Sequence, residues 1–240
     1  MSKPDHIGTD YKTVLGWFHK RLRPKTYLEI GTQNGFTLSL ATCASIAIDP
    51  QFQISSGATV NNKPACHLFQ MPSDDFFESH QPSTIFGRLV DLAFLDGMHR
   101  CEFLLRDFMH TEPHCKQNSV ILLHDCLPLD EGMTSRVQGT GSSTGDRRYG
   151  WWTGDVWRTA LALKRYRPDL EIAAYDAQPT GLIAITNLDP QSTLLADRYS
   201  DIVRDMRSWT LDLDAYFREV HVESTDAIAT EEKMNTRFWL

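Results

Sequence analysis

Several things are scarce in this chain, and each scarcity excludes something. No apolar run approaches the roughly 20 residues that a membrane span needs. The longest, such as Val120-Ile121-Leu122-Leu123, are strand-sized. The N-terminus, Met1-Ser2-Lys3-Pro4-Asp5, has no apolar stretch of the secretory kind, so the expected location is the cytoplasm and no membrane partner is expected. The five cysteines (Cys43, Cys66, Cys101, Cys115 and Cys126) are odd in number and form no C-x-x-C pair. A disulfide framework or a structural zinc site is therefore not expected. Basic charge is in deficit: the net charge is −7, and nucleic-acid binders concentrate Lys and Arg. The densest basic patch, Lys20-Arg21-Leu22-Arg23-Pro24-Lys25, reads instead as the last turn of a helix, where cations suit the dipole. No nucleic-acid partner is expected. No internal repeat is visible.

What is present is alternation. At 240 residues the chain suits one α/β domain with additions. Tyr11, Val14, Leu15, Phe18 and Leu22 recur at helical spacing, and Pro24 ends that run. Strands are then expected at 26–30, 45–48, 65–70, 89–95 and 119–123, with helices at 36–44, from Ser73 (as N-cap) and at 100–112 between them. Strand–helix alternation implies a parallel, doubly wound sheet. A further helix is expected at 155–167, and 171–175 with 181–186 reads as an antiparallel hairpin. Residues 1–188 are taken as the main domain, and 189–240 as a helical extension packed on it. Between them, the stretch of about 127–150 is rich in Gly, Ser and Thr without apolar periodicity. A loop that long suggests an active-site lid, with highest mobility near 138–146.

Open α/β sheets bind ligands beyond the carboxyl ends of their strands, near the switch in strand order. Glu29, Asp49, Asp96 and Asp125 all fall at such ends. Glu29-Ile30-Gly31-Thr32-Gln33-Asn34-Gly35 follows a strand, and its two glycines allow a sharp turn and close approach of a ligand. The spacing is not that of the dinucleotide fingerprint, since Gln33 stands where its second glycine would be. An acid at position 49 can accept hydrogen bonds from two ribose hydroxyls. Asp96 and Asp125, on neighbouring strand ends, could share a divalent cation such as magnesium, with His124 as a ligand for a softer ion. His99 is a candidate general base. Arg147-Arg148 would suit an anionic substrate, and Trp151-Trp152 a ring to be covered.

In the stretches LEIGTQNGFTL, AIDPQ, FQMPSDDFF, DLAFLDGMHRCEFLLRDF, VILLHDC and WTGDVW, the chain resembles the class I S-adenosylmethionine-dependent methyltransferases. Within them it is similar to bacterial small-molecule O-methyltransferases of the macrocin O-methyltransferase and cephalosporin-hydroxylase-like group. The resemblance covers roughly residues 26 to 160. It implies a Rossmann-like, mostly parallel sheet of seven strands with the last antiparallel, and S-adenosylmethionine as cofactor. Glu29, Gly31, Thr32 and Gly35 would hold its methionine end, Asp49 its ribose, and Ser73 and Asp74 would lie near the adenine, with Asp96 completing the cofactor set. Asp96, His99 and Asp125 would carry the chemistry, and Asp96, His124 and Asp125 any metal. The related enzymes often carry acids where this sequence has Met98 and His124. The implied activity is methyl transfer to a small-molecule hydroxyl, with a homodimer left open. A non-catalytic scaffold of the same fold and a nicotinamide oxidoreductase are the rival readings. No Tyr-x-x-x-Lys pair supports the latter.

Overall fold

The computed structural model describes residues 2–139 and 147–240. The first helix, α1 (Tyr11–Leu22), is capped by the Asp10 carboxylate, which accepts from the Lys12 N–H. Its last turn carries His19, Lys20 and Arg21, and Arg23 ends it in a left-handed conformation. Strands β1 (Thr26–Ile30), β2 (Ala44–Ile48), β3 (Cys66–Phe69), β4 (Val90–Leu95) and β5 (Cys115–His124) pair in parallel. Strands β6 (Glu171–Tyr175) and β7 (Leu182–Thr186) form the expected antiparallel hairpin, and β7 docks antiparallel on β5.

The strand order is β3-β2-β1-β4-β5-β7-β6-β8, eight strands where the resemblance implied seven. The eighth, β8 (Val222–Glu223), pairs with β6 over two residues. It is too short to leave a period in the sequence. The segment after residue 188 is thus not wholly helical: α6 (Leu194–Asp197), α7 (Tyr199–Ser208), α8 (Leu213–Val220) and α9 (Glu231–Asn235) surround this edge strand.

Both faces of the sheet are covered, so β1 and β4 are buried at every position. Alternate residues still divide between two apolar clusters. Leu28, Ile30, Ile121 and Leu123 pack with α4 (Cys101–Thr111) and α5 (Trp157–Tyr166). Tyr27, Leu92, Phe94 and Leu122 pack with Val14, Leu15 and Phe18 of α1. No helix is long and apolar enough to cross a membrane among the described residues.

Three local expectations change. The helix expected at 36–44 is only a single tight turn at Leu38–Leu40. The Ser39 hydroxyl there donates to the Phe36 carbonyl, a local alternative to helix propagation. The helix α2 (Ser73–Ser79) is preceded by Pro72 as its cap, with no side-chain capping bond, so Ser73 is its first residue and not its N-cap. It is followed by α3 (Pro82–Phe86), which is too short for periodicity to reveal. The stretch from 127 to 139 is not structureless: Leu127, Leu129 and Met133 are buried, and Gly132–Thr134 forms a turn. The centre of the expected lid, 140–146, lies outside the described residues.

Candidate functional site

The strand order reverses between β1 and β4, and this is where the candidate residues gather. The Asp96 N–H donates to the Ile30 carbonyl at 2.9 Å, and the Gly31 N–H to the Ile48 carbonyl at 2.9 Å. The Gly31 turn and the end of β4 therefore touch. Gly31 has φ +88°, and a Cβ built on it would lie inside 3.0 Å of the Asp96 carbonyl. Only glycine fits both the backbone and the space. Gly35 closes the turn at φ +78°. Glu29 lies beneath the turn, fully buried, and accepts from the Tyr27 hydroxyl at 2.5 Å. Burial pushes its carboxyl up to about 7, while the nearby hydroxyls of Tyr27, Thr32 and Thr37 act in the opposite direction. Its Oε1 has no partner.

Asp49, at the end of β2, accepts from the backbone N–H groups of Gln33 at 2.8 Å and Gln51 at 2.7 Å. It thus braces the turn from the neighbouring strand, at the place proposed for the ribose. The Ser73 hydroxyl acts to lower the Asp107 carboxyl, which burial nonetheless pushes up to about 7. Asp107 Oδ2 in turn lies against Gly97. Asp74 is engaged elsewhere, in a paired ion bridge with Arg106 at 2.6 and 2.8 Å.

Asp96, His99, His124 and Asp125 form one cluster. His99 Nε2 lies 3.2 Å from Asp125 Oδ2 and 3.6 Å from Asp96 Oδ1. His124 Nδ1 lies 3.2 Å from Asp96 Oδ1 and 3.5 Å from Asp125 Oδ2. The other Asp125 oxygen accepts from the Thr180 hydroxyl, and Asp125 itself sits at φ +57°. Strained backbone of that kind in a non-glycine residue is common at functional sites. Burial lowers the affinity of both imidazoles for a proton, but the carboxylates outweigh it. His99 is pushed up to about 9 by Asp125 and then Asp96, and His124 to about 10 by the same pair. In return, and despite burial, His124 and His99 hold the Asp96 carboxyl below the usual carboxylate range.

Aromatic rings flank the cluster. Tyr11 covers His124 at 3.9 Å between centroids, and Trp152 stacks on His99 at 4.7 Å. The Trp152 carbonyl accepts from His99 Nδ1 at 2.9 Å. Tyr11 and Thr180 left no sequence signal of this role. Each reaches the site from an element distant along the chain. Arg147 and Arg148 are committed to Asp5 at 2.7 and 2.6 Å, so the paired arginines do not form a free anion site. Trp151 is only partly buried.

Magnesium needs near-octahedral oxygen ligation at about 2.0–2.1 Å. Here the inward oxygens of both carboxylates already face two imidazole nitrogens. Asp96, His124 and Asp125 do bring one ligand atom each within 4.8 Å of one another, but one of the three is a nitrogen and both oxygens face imidazoles, which does not suit magnesium. A second acidic group, Cys101, Glu102 and Asp155, is likewise filled. Arg136 bonds Glu102 at 2.6 and 2.9 Å and Asp155 at 2.7 Å.

Residues 28–126 match the family model described as "Methyltransferase domain". Over this segment the chain is similar to methyltransferase domains. The resemblance to the class I methyltransferases read from the sequence is thereby borne out, and the oxidoreductase and scaffold readings gain no support. Solved structures share the fold of the methyltransferase domain. The O-methyltransferase from Bacillus cereus, in complex with SAH, is 14% identical, with TM-score 0.52 over 76% of this chain and 84% of that one. The O-methyltransferase TomG from Streptomyces achromogenes, in complex with SAM and involved in tomaymycin synthesis, is 14% identical, with TM-score 0.52 over 73% and 78%. The SAH-bound methyltransferase PaMTH1 from Podospora anserina is 14% identical, with TM-score 0.51 over 75% and 78%. No curated protein sequence matches the chain.

Proposed function

We propose that this chain moves a methyl group from S-adenosylmethionine to a hydroxyl of a small acceptor. The observation that carries this reading is the contact between the Gly31 turn and the Asp96–His99–His124–Asp125 cluster at the switch point of the sheet. The cofactor fits the cradle that these residues form: a glycine turn that a Cβ would fill, an orphaned buried carboxyl oxygen on Glu29, and a strand-end acid at position 49. When bound, S-adenosylmethionine supplies an electrophilic methyl group on a sulfonium. Gly31, Thr32 and Gly35 would hold its methionine end above Glu29, Asp49 would hold the ribose, and Ser73 would sit beside the adenine. Asp74, committed to its bridge with Arg106, would not touch the cofactor.

The chain's own part is mainly positioning, and alignment of donor and acceptor can lower a barrier by roughly 7–11 kcal/mol. Asp96, His99 and Asp125 would face the acceptor hydroxyl, with Tyr11 and Trp152 as walls that limit water. A carboxylate is the proton acceptor this cluster offers. Both His99 nitrogens already face acceptors, the Trp152 carbonyl and Asp125. The net charge of −7 supports a small acceptor over a nucleic acid, and the five free cysteines suit a reducing compartment such as the cytoplasm. Residues 189–240 belong, in this reading, to the same domain, since β8 completes its sheet.

Calorimetric titration with S-adenosylhomocysteine tests the cofactor half, and a screen of hydroxylated acceptors with labelled S-adenosylmethionine tests the transfer. No binding of S-adenosylhomocysteine to the folded chain would remove the proposal.

A further inference from the structure

Two acids on adjacent strand ends repel one another unless something positive lies between them. We propose that the imidazole of His99, held in place by Trp152, takes the position of a divalent cation between Asp96 and Asp125, so that this site works without a metal. The inference rests on the proposed methyl-transfer reading for its purpose, but its geometry stands by itself.

Four observations carry it. His99 Nε2 reaches both carboxylates, at 3.2 and 3.6 Å, which is the bridging a shared cation would perform. His99 Nδ1 donates to a backbone carbonyl, Trp152 O, at 2.9 Å. A ring with acceptors at both nitrogens is a double donor, as an imidazolium is. His124 Nδ1, at the end of the neighbouring strand β5, bridges the same two oxygens at 3.2 and 3.5 Å. Two imidazoles and two carboxylates therefore alternate around a closed ring. Finally, Trp152 is itself fastened: its ring stacks on His99 at 4.7 Å, and its Nε1 donates to the Ser135 carbonyl at 2.6 Å. His99 is thus clamped from behind by a segment distant in the chain.

A metal ion and the His99 ring exclude each other. An ion that bound both carboxylates would have to displace Nε2, breaking the ion pairs and the bond to Trp152. His99 is then a positioning residue. It keeps the two carboxylates ionised and at a fixed separation, and it is not the group that takes the acceptor proton.

The test is metal affinity of the full chain, read without any turnover. Protein freed of metal by chelator is titrated with Mn²⁺, Mg²⁺ and Zn²⁺ by calorimetry, and with Mn²⁺ by electron paramagnetic resonance. The wild type is expected to show no stoichiometric site. His99→Ala is expected to bind one Mn²⁺ at least tenfold more tightly than the wild type. Adding Asp96→Asn to it should abolish that site. Stoichiometric binding of any of the three ions to the wild type that Asp96→Asn removes overturns the proposal, as does a folded His99→Ala with no gain. If His99→Ala does not fold, His99→Gln serves, since its neutral amide carries no charge and has no second donor edge for the Trp152 carbonyl. The wild-type titration decides even without a variant. Failure of the methyl-transfer reading would show separately, as absent binding of S-adenosylhomocysteine to the wild type.

Discussion

Replacing Gly31 by alanine should cost more than the same change at any other glycine whose only peculiarity is its backbone angle. Two effects add. Holding alanine at positive φ costs roughly 1–2 kcal/mol. The new methyl group would also lie inside 3.0 Å of the Asp96 carbonyl, a backbone atom that cannot rotate away. Relieving an overpacked contact of that kind typically costs about 1–3 kcal/mol. The middle of the sum is roughly 3 kcal/mol, and at this chain length each kcal/mol lowers Tm by about 2–4 °C. The expected drop is thus about 6–12 °C. Gly87 supplies the control: it has φ +65° and nothing within 4 Å of its built Cβ, so Gly87→Ala carries the first effect alone. Differential scanning fluorimetry of wild type, Gly87→Ala and Gly31→Ala should rank them in that order. Gly31→Ala should in addition weaken S-adenosylhomocysteine binding at least tenfold, because the turn must move off Asp96. If Gly31→Ala melts within 2 °C of Gly87→Ala and binds like the wild type, the close approach of turn and strand end is refuted.

Asp49→Ala should weaken S-adenosylhomocysteine more than Asp49→Asn, which keeps one oxygen for the Gln33 and Gln51 N–H groups; equal calorimetric affinities would show that the residue does not serve the cofactor. Glu29 has a raised folded pKa, about 7 against an ordinary 4.5. Its contribution to stability is therefore fully present below pH 4.5 and is lost as pH rises to about 7. The wild type should lose up to about 3 kcal/mol relative to Glu29→Gln across that window, and parallel urea-unfolding curves at pH 4.5 and 7.5 would refute the buried acid. Arg136→Ala leaves Glu102 and Asp155 facing each other. Because Arg136 is partly exposed, the loss should be only about 1–2 kcal/mol in urea unfolding, and no loss would mean that solvent replaces it.

The sequence by itself determined the alternation of strands and helices, because apolar periods and Gly or Pro punctuation are local properties. It also placed Glu29, Asp49, Asp96 and Asp125 at strand ends, since a strand's end is visible where its apolar run stops. Short elements escaped it: α3 and β8 span too few residues to show a period, and the tight turn at Leu38–Leu40 carries the same apolar residues a helix would. What only the tertiary structure decided is the company each site residue keeps. His99 reads from the sequence as a base beside an acid. Folding brings the carbonyl of Trp152 and the carboxylate of Asp125 to its two nitrogens, and the ring becomes a double donor. Arg147 and Arg148 look free in the sequence until Asp5, at the other end of the domain, claims them. Tyr11 is one more apolar position of an amphipathic helix until α1 packs it over His124. Hydrogen-bond partners and charge neighbours separated by fifty residues or more have no local pattern, so the protonation state and role of a side chain are settled only when the chain closes around it.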